Sequence, residues 1–171
     1  ADYGVNPERI GMIGFSAGGH LAAMAETRFD PGQPGAADPI ERASSRPDFV
    51  VLSYAAIDLP SNRWNTLGLT GPNTPKARLG ELNPAANVRR DSPPTFLWQT
   101  TTDELVPPSN AIRMYEALVG AGVPAELHIF GEGHHGMGLG MTDQALSAWP
   151  NLLRTWLNGI GVIGPKAVAG K

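Results

Sequence analysis

Four short apolar segments punctuate the chain, at about 9 to 15, 48 to 55, 94 to 101 and 124 to 130. The first is an apolar run interrupted by glycines, the second is rich in Val and Leu, and the third is apolar, β-branched and aromatic, all reading as buried strands, while the fourth, Ala125 to Phe130, alternates polar and apolar residues. Between and after them lie helix-compatible stretches near 17 to 27, 108 to 121 and 150 to 159. Ser109 or the adjacent prolines can start the middle helix, Gly120 and Gly122 can end it, and Pro150 suits the first turn of the last. Strand-helix alternation of this kind predicts an α/β fold with a mainly parallel sheet of about four strands, in one domain over 1–171. Residues 30 to 47 and 58 to 93 are rich in Pro, Gly, Asn and Ser and read as long loops, with one short helix near 75 to 81.

Where the first strand ends, the chain reads Gly14-Phe-Ser-Ala-Gly-Gly-His20. A G-x-S-x-G pentad between an apolar β-prone run and an Ala-rich helical run is a nucleophile elbow, with Ser16 at a strained apex. Gly14 and Gly18 are expected to be bare so that strand and helix can approach each other. The Ala17 N–H, at the start of the helix, is a ready oxyanion donor.

A serine hydroxyl needs a histidine to take its proton and a carboxylate to orient that histidine. Asp103 stands just past the third strand, with Asp58 (after the second) and Glu104 as competing acids. A turn or helix-cap role is the alternative for Asp103. Of the four histidines, His20 reads as packing on the first helical turn and His128 as part of its strand. His134 and His135, in a glycine-rich loop after the fourth strand, are equally placed by spacing. A metal site at this pair would need further ligands, and neither Cys nor an H-E-x-x-H motif is present to supply them.

These segments together resemble bacterial esterases of the α/β-hydrolase superfamily, near the acetyl xylan esterase and hormone-sensitive-lipase-like groups. The resemblance runs through Val5-Asn-Pro-Glu-Arg-Ile-Gly, Gly14-Phe-Ser-Ala-Gly-Gly-His-Leu-Ala, Ser92-Pro-Pro-Thr-Phe-Leu-Trp, Asp103-Glu-Leu-Val-Pro and His135-Gly-Met-Gly-Leu. It implies a catalytic triad of Ser16, Asp103 and His135, with His134 orienting the loop. It also implies a carboxylic ester hydrolase for short acyl groups that works through an acyl-enzyme, without a cofactor. Gln99 and Thr101 stand where His and Ala are common in such esterases. The loop at 58 to 93 falls where a lid or acyl pocket forms in those enzymes, so Trp64, Leu67 and Leu69 are candidate substrate contacts, the alternative being that they only cover the sheet; Phe15, beside Ser16, is a further candidate. The competing enzyme reading is a serine peptidase of the prolyl oligopeptidase type, which shares the elbow and the D-x-x-V-P run. A third reading is an inactive, self-associating fragment.

An α/β-hydrolase sheet places several strands before its elbow, whereas here the serine is residue 16. The H-G-G-G type of loop that supplies a second oxyanion donor does not occur in the sequence. Loss of one such donor costs about 2.7–4 kcal/mol of transition-state stabilisation. The strand Ile10 to Phe15 is then expected to be a hydrophobic sheet edge that pairs with a second copy, making a homo-oligomer. The alternative is a fragment whose other half is supplied separately.

Composition narrows the partners. The 171 residues are 42% hydrophobic and 17% charged, with a net charge of −3, an ordinary globular balance. The slight acidity and the lack of a Lys/Arg cluster argue against nucleic acid, and no apolar run is long enough to span a membrane. The absence of Cys excludes disulfides and leaves the compartment open.

Overall fold

The computed structural model describes residues 3–58, 69–71 and 73–164. Strands β1 (Gly11–Phe15), β2 (Phe49–Ser53), β3 (Thr95–Thr100) and β4 (Ala125–Phe130) form one sheet in that order. All three pairings are parallel. Helix α1 (Ala17–Thr27) leads from β1 towards β2, and α2 (Lys76–Glu81) lies before β3. Helix α3 (Ser109–Gly120) joins β3 to β4, and α4 (Trp149–Gly159) follows β4. Every strand and helix expected from the apolar pattern is present, and only the ends differ. Residues 30 to 47 form an irregular loop, as expected, pinned by Asp30, which accepts hydrogen bonds from the Ser45 hydroxyl and the Gly32 N–H.

Side-chain alternation along the strands splits the core into two layers. Val50, Leu52 and Leu97 face Ala22 and Ala23 of α1 and Met114 and Leu118 of α3. Val51, Phe96 and Trp98 face Trp149 and Trp156 of α4. The two central strands are therefore covered on both sides, which explains why consecutive residues of each, Val50 to Leu52 and Phe96 to Trp98, are apolar. β4 is half-buried, with its polar alternates used: His128 packs its ring on Phe96, 5.2 Å between centroids, and hydrogen-bonds Glu126.

β1 has β2 on one side and no partner strand on the other among the described residues. Ile10 and Ile13 are 51% and 52% exposed there. The expected hydrophobic edge is thus present in the structure.

One detail of the sequence reading needs correction. A Cβ on Gly14 would collide with the Gly18 carbonyl oxygen, as expected, but a Cβ on Gly18 itself would meet open space. The second crowded glycine is Gly19, whose Cβ would lie 2.5 Å from that of Ala55. The backbone of residue 18 is what Gly14 must clear, and the helix packs on the chain after β2 through residue 19.

Candidate active site

The C-terminal ends of all four parallel strands converge, the usual location of function in such sheets. Immediately after β1, Ser16 adopts φ 54 and ψ −120, a left-handed backbone that a side-chain-bearing residue rarely takes without a functional reason. Surrounding bonds hold it there. Its N–H donates to the Ser53 carbonyl at 3.0 Å, and its carbonyl accepts from the N–H groups of His20 and Ala56. Because the first intrahelical bond of α1 is made by His20, the Ala17 N–H belongs to the unsatisfied first turn.

Asp103 follows β3 by three residues, its side chain 1% exposed. One carboxylate oxygen accepts the N–H groups of Leu105 and Val106, both at 2.9 Å, in an Asx-type turn. The other lies 2.7 Å from His135 Nδ1. His135, in the loop after β4, places its second nitrogen, Nε2, 2.7 Å from Ser16 Oγ. A proton on Nδ1, donated to Asp103, leaves a lone pair on Nε2 facing the serine hydroxyl. The three side chains thus form one hydrogen-bonded line that can relay a proton from serine to imidazole.

The competing residues are elsewhere. Asp58 is buried and pairs with Arg113, while its N–H donates to Asn110. Glu104 is exposed. His20 is buried against the Leu82 carbonyl at 2.8 Å. His134 is exposed, its Nδ1 donating to the carbonyl of His135 at 2.7 Å. Among the described residues, no group of three or more His, Cys, Asp or Glu side chains could hold a metal ion.

Two supporting residues escaped the sequence reading. Tyr54, expected inside the second strand, sits just beyond it at φ 38, and its ring meets that of His135 edge-on, 5.0 Å between centroids. Burial pushes the Tyr54 hydroxyl above the usual tyrosine range, with a smaller upward push from the nearby Asp103 charge, opposed by a hydrogen bond from the Gly138 backbone. Behind it Trp98 packs edge-on to Tyr54 and stacks on Trp149, so an aromatic wall backs the histidine. Gln99 is fully buried and donates to the Val106 carbonyl at 2.7 Å, bracing the turn that holds Asp103. The glutamine was legible only as an unusual residue in its strand.

An open depression of about 550 Å³ borders His135 and is lined by Thr102, Glu104, Leu105 and His134. Phe15 is half-buried and packs on Tyr54 and Trp149, with ring centroids 5.7 Å and 6.4 Å away. Leu69 is 52% exposed, and Trp64 and Leu67 lie outside the described residues.

Residues 1–149 match the model of the prolyl oligopeptidase family. An acetylxylan esterase of Xylanibacter ruminicola is 33% identical over 90% of this chain, which spans 32% of that relative's length. An acetyl ester-xyloside bifunctional hydrolase from Caldicellulosiruptor lactoaceticus superposes with a TM-score of 0.91 at 42% identity, over 94% of this chain and 60% of that one. A thermophilic esterase from the Planctomycetes species Thermogutta terrifontis, solved with propionate bound, gives a TM-score of 0.71 at 29% identity, over 96% of this chain and 60% of that one. The helix-flanked parallel sheet is the α/β-hydrolase architecture that the sequence resemblance implied, and the chain belongs to the prolyl oligopeptidase family.

Proposed function

We propose that the chain carries the catalytic centre of a carboxylic ester hydrolase for short, acetyl-type acyl groups. Ser16 attacks the ester carbonyl while His135 accepts its proton. His135 then returns that proton to the leaving alcohol, and Asp103 holds the imidazole in the required tautomer. Water, activated by the same histidine, attacks the acyl-serine, releases the acid and restores Ser16. The Ala17 N–H donates to the oxyanion. The observation that carries this reading is the continuous 2.7 Å line from Ser16 through His135 to Asp103, set on a strained elbow.

Family membership leaves ester and peptide hydrolysis both open. The esterase names of the relatives favour ester, and propionate bound in one of them favours a small acyl group. The test is hydrolysis of p-nitrophenyl esters of increasing acyl length beside a prolyl p-nitroanilide. Turnover highest on acetate and abolished by Ser16→Ala is expected. Preference for the anilide would instead establish a peptidase, and equal rates in both proteins would remove Ser16 from the mechanism.

For the 171-residue chain taken alone, we also propose self-association through the free edge of β1. The exposed Ile10 and Ile13 and the lack, among the described residues, of a strand on the outer side of β1 support it. A monomeric mass in solution would rule it out. No described helix is long and apolar enough to cross a membrane.

A further inference from the structure

The pairing of β3 with β4 ends at Thr100 and Phe130, before Asp103 and His135 are reached, so the two loops need other contacts to stay in register beyond the last rung. That rung is the Thr101 N–H donating to the Phe130 carbonyl at 2.8 Å. Beyond it on the β4 side, both polar groups of a single peptide residue, Gly133, are taken by threonines at the end of β3 and in the loop that follows. The buried Thr100 hydroxyl donates to the Gly133 carbonyl at 2.7 Å. The Gly133 N–H donates to Thr102 Oγ1 at 2.9 Å, and the Thr102 hydroxyl reaches the same carbonyl at 3.3 Å. Thr102 directly precedes Asp103, and Gly133 stands two residues before His135.

The approach is close enough to require glycine. Gly133 has φ 145, and a Cβ there would sit 2.7 Å from Thr100 Cγ2. A residue gripped at its N–H and its C=O has its peptide planes fixed, so the two residues to His135 start from a set direction.

We propose that Thr100 and Thr102 are positioning residues that clamp Gly133 and thereby keep His135 Nδ1 within hydrogen-bond reach of Asp103. The inference rests on the triad reading given above. Neither threonine touches the reacting atoms. Their effect passes through the Gly133 backbone; without it, the bonds left between the two loops among the described residues are those of Thr101 to the Phe130 carbonyl, five residues before His135, and the Asp103–His135 bond itself.

The test replaces each hydroxyl by a methyl of the same shape, Thr100→Val and Thr102→Val, singly and together, with Thr→Ser at each position as the conservative control. Two readouts are taken on the 171-residue chain. In p-nitrophenyl acetate hydrolysis, the double valine variant is expected to lose about ten- to hundredfold in kcat with little change in KM, the usual scale for a small misplacement of a catalytic group. Serine at either position should restore kcat. The second readout, the downfield NMR resonance of the His135 Nδ1 proton, needs no turnover: it should be present in the parent and serine proteins and broadened or lost in the double valine variant. An unchanged resonance and unchanged kcat in the valine variants would overturn the proposal, as would serine variants as impaired as the valine ones. If the parent shows no Ser16-dependent hydrolysis, the functional reading fails by itself, and the proton resonance still decides the clamp.

Discussion

Tyr54 stands edge-on to His135, with 5.0 Å between ring centroids, although the two lie on loops after strands that are not neighbours in the sheet. The contact limits how far the imidazole can turn away from Ser16. Edge-to-face aromatic pairs contribute about 0.5–1.5 kcal/mol beyond their buried area. Tyr54→Leu should therefore lower kcat about two- to tenfold while leaving KM nearly constant, and Tyr54→Phe should retain most of the activity. Steady-state kinetics of the two variants on one acetyl ester checks this.

Gly14 and Gly18 should respond in opposite ways to alanine. At Gly14 the new methyl strikes the Gly18 carbonyl, which belongs to helix backbone and cannot swing aside. Destabilisation of about 1–3 kcal/mol or more is expected. At Gly18 the methyl meets nothing within 4 Å, and a helical Gly→Ala exchange is worth about 0.5–1 kcal/mol in favour of the fold. Urea midpoints of the two variants give the comparison directly.

Much of this was legible in the sequence, for a local reason. The elbow, the strands and the place of Asp103 after β3 depend on neighbours along the chain, so pattern and spacing reach them. The functions of Tyr54, Gln99 and Thr102 depend on which loop faces which across the sheet, and no spacing rule reads that. His134 and His135 show the limit most plainly. Adjacent residues leave a loop in different directions, and it is His135, in a loop with positive φ at Gly133 and Gly136, that faces Ser16. The Gly18 error has the same origin, since a motif names a position without saying whether its side chain or its backbone is crowded.

Stability should fall as pH rises from about 5 to 8. Burial pushes the Glu26 carboxyl up to about 8, with the Thr95 hydroxyl as a smaller opposing influence. Thr95 Oγ1 lies 2.6 Å from Glu26 and 3.0 Å from the Pro93 carbonyl. One hydroxyl proton cannot serve both acceptors, and a protonated Glu26 donating to Thr95 satisfies the set. The unfolded carboxyl ionises near its ordinary 4.5, so between that value and about 8 the folded state binds more protons than the unfolded one. Stability from this group is complete below 4.5 and is lost as pH climbs through about 8, on the order of several kcal/mol in all. Chemical denaturation at a series of pH values should show this slope, and Glu26→Gln should flatten it.

Placing a charge on the open edge should disperse any assembly. Ile13 is 52% exposed on β1, and lysine is the residue that natural sheet edges use to block pairing. Ile13→Lys is expected to lower the mass measured by light scattering to that of one chain without altering the fold seen by circular dichroism. An oligomer that persists unchanged would place the contact elsewhere.

Reaction of the 171-residue chain with a fluorophosphonate, mapped by mass spectrometry, tests the proposed proton relay most directly, because the probe reports an activated serine whatever the natural ester. One adduct on Ser16, formed in the parent protein and suppressed in both His135→Ala and Asp103→Ala, is the predicted result. An unlabelled Ser16 in the parent, or labelling that proceeds equally well without His135, would contradict it.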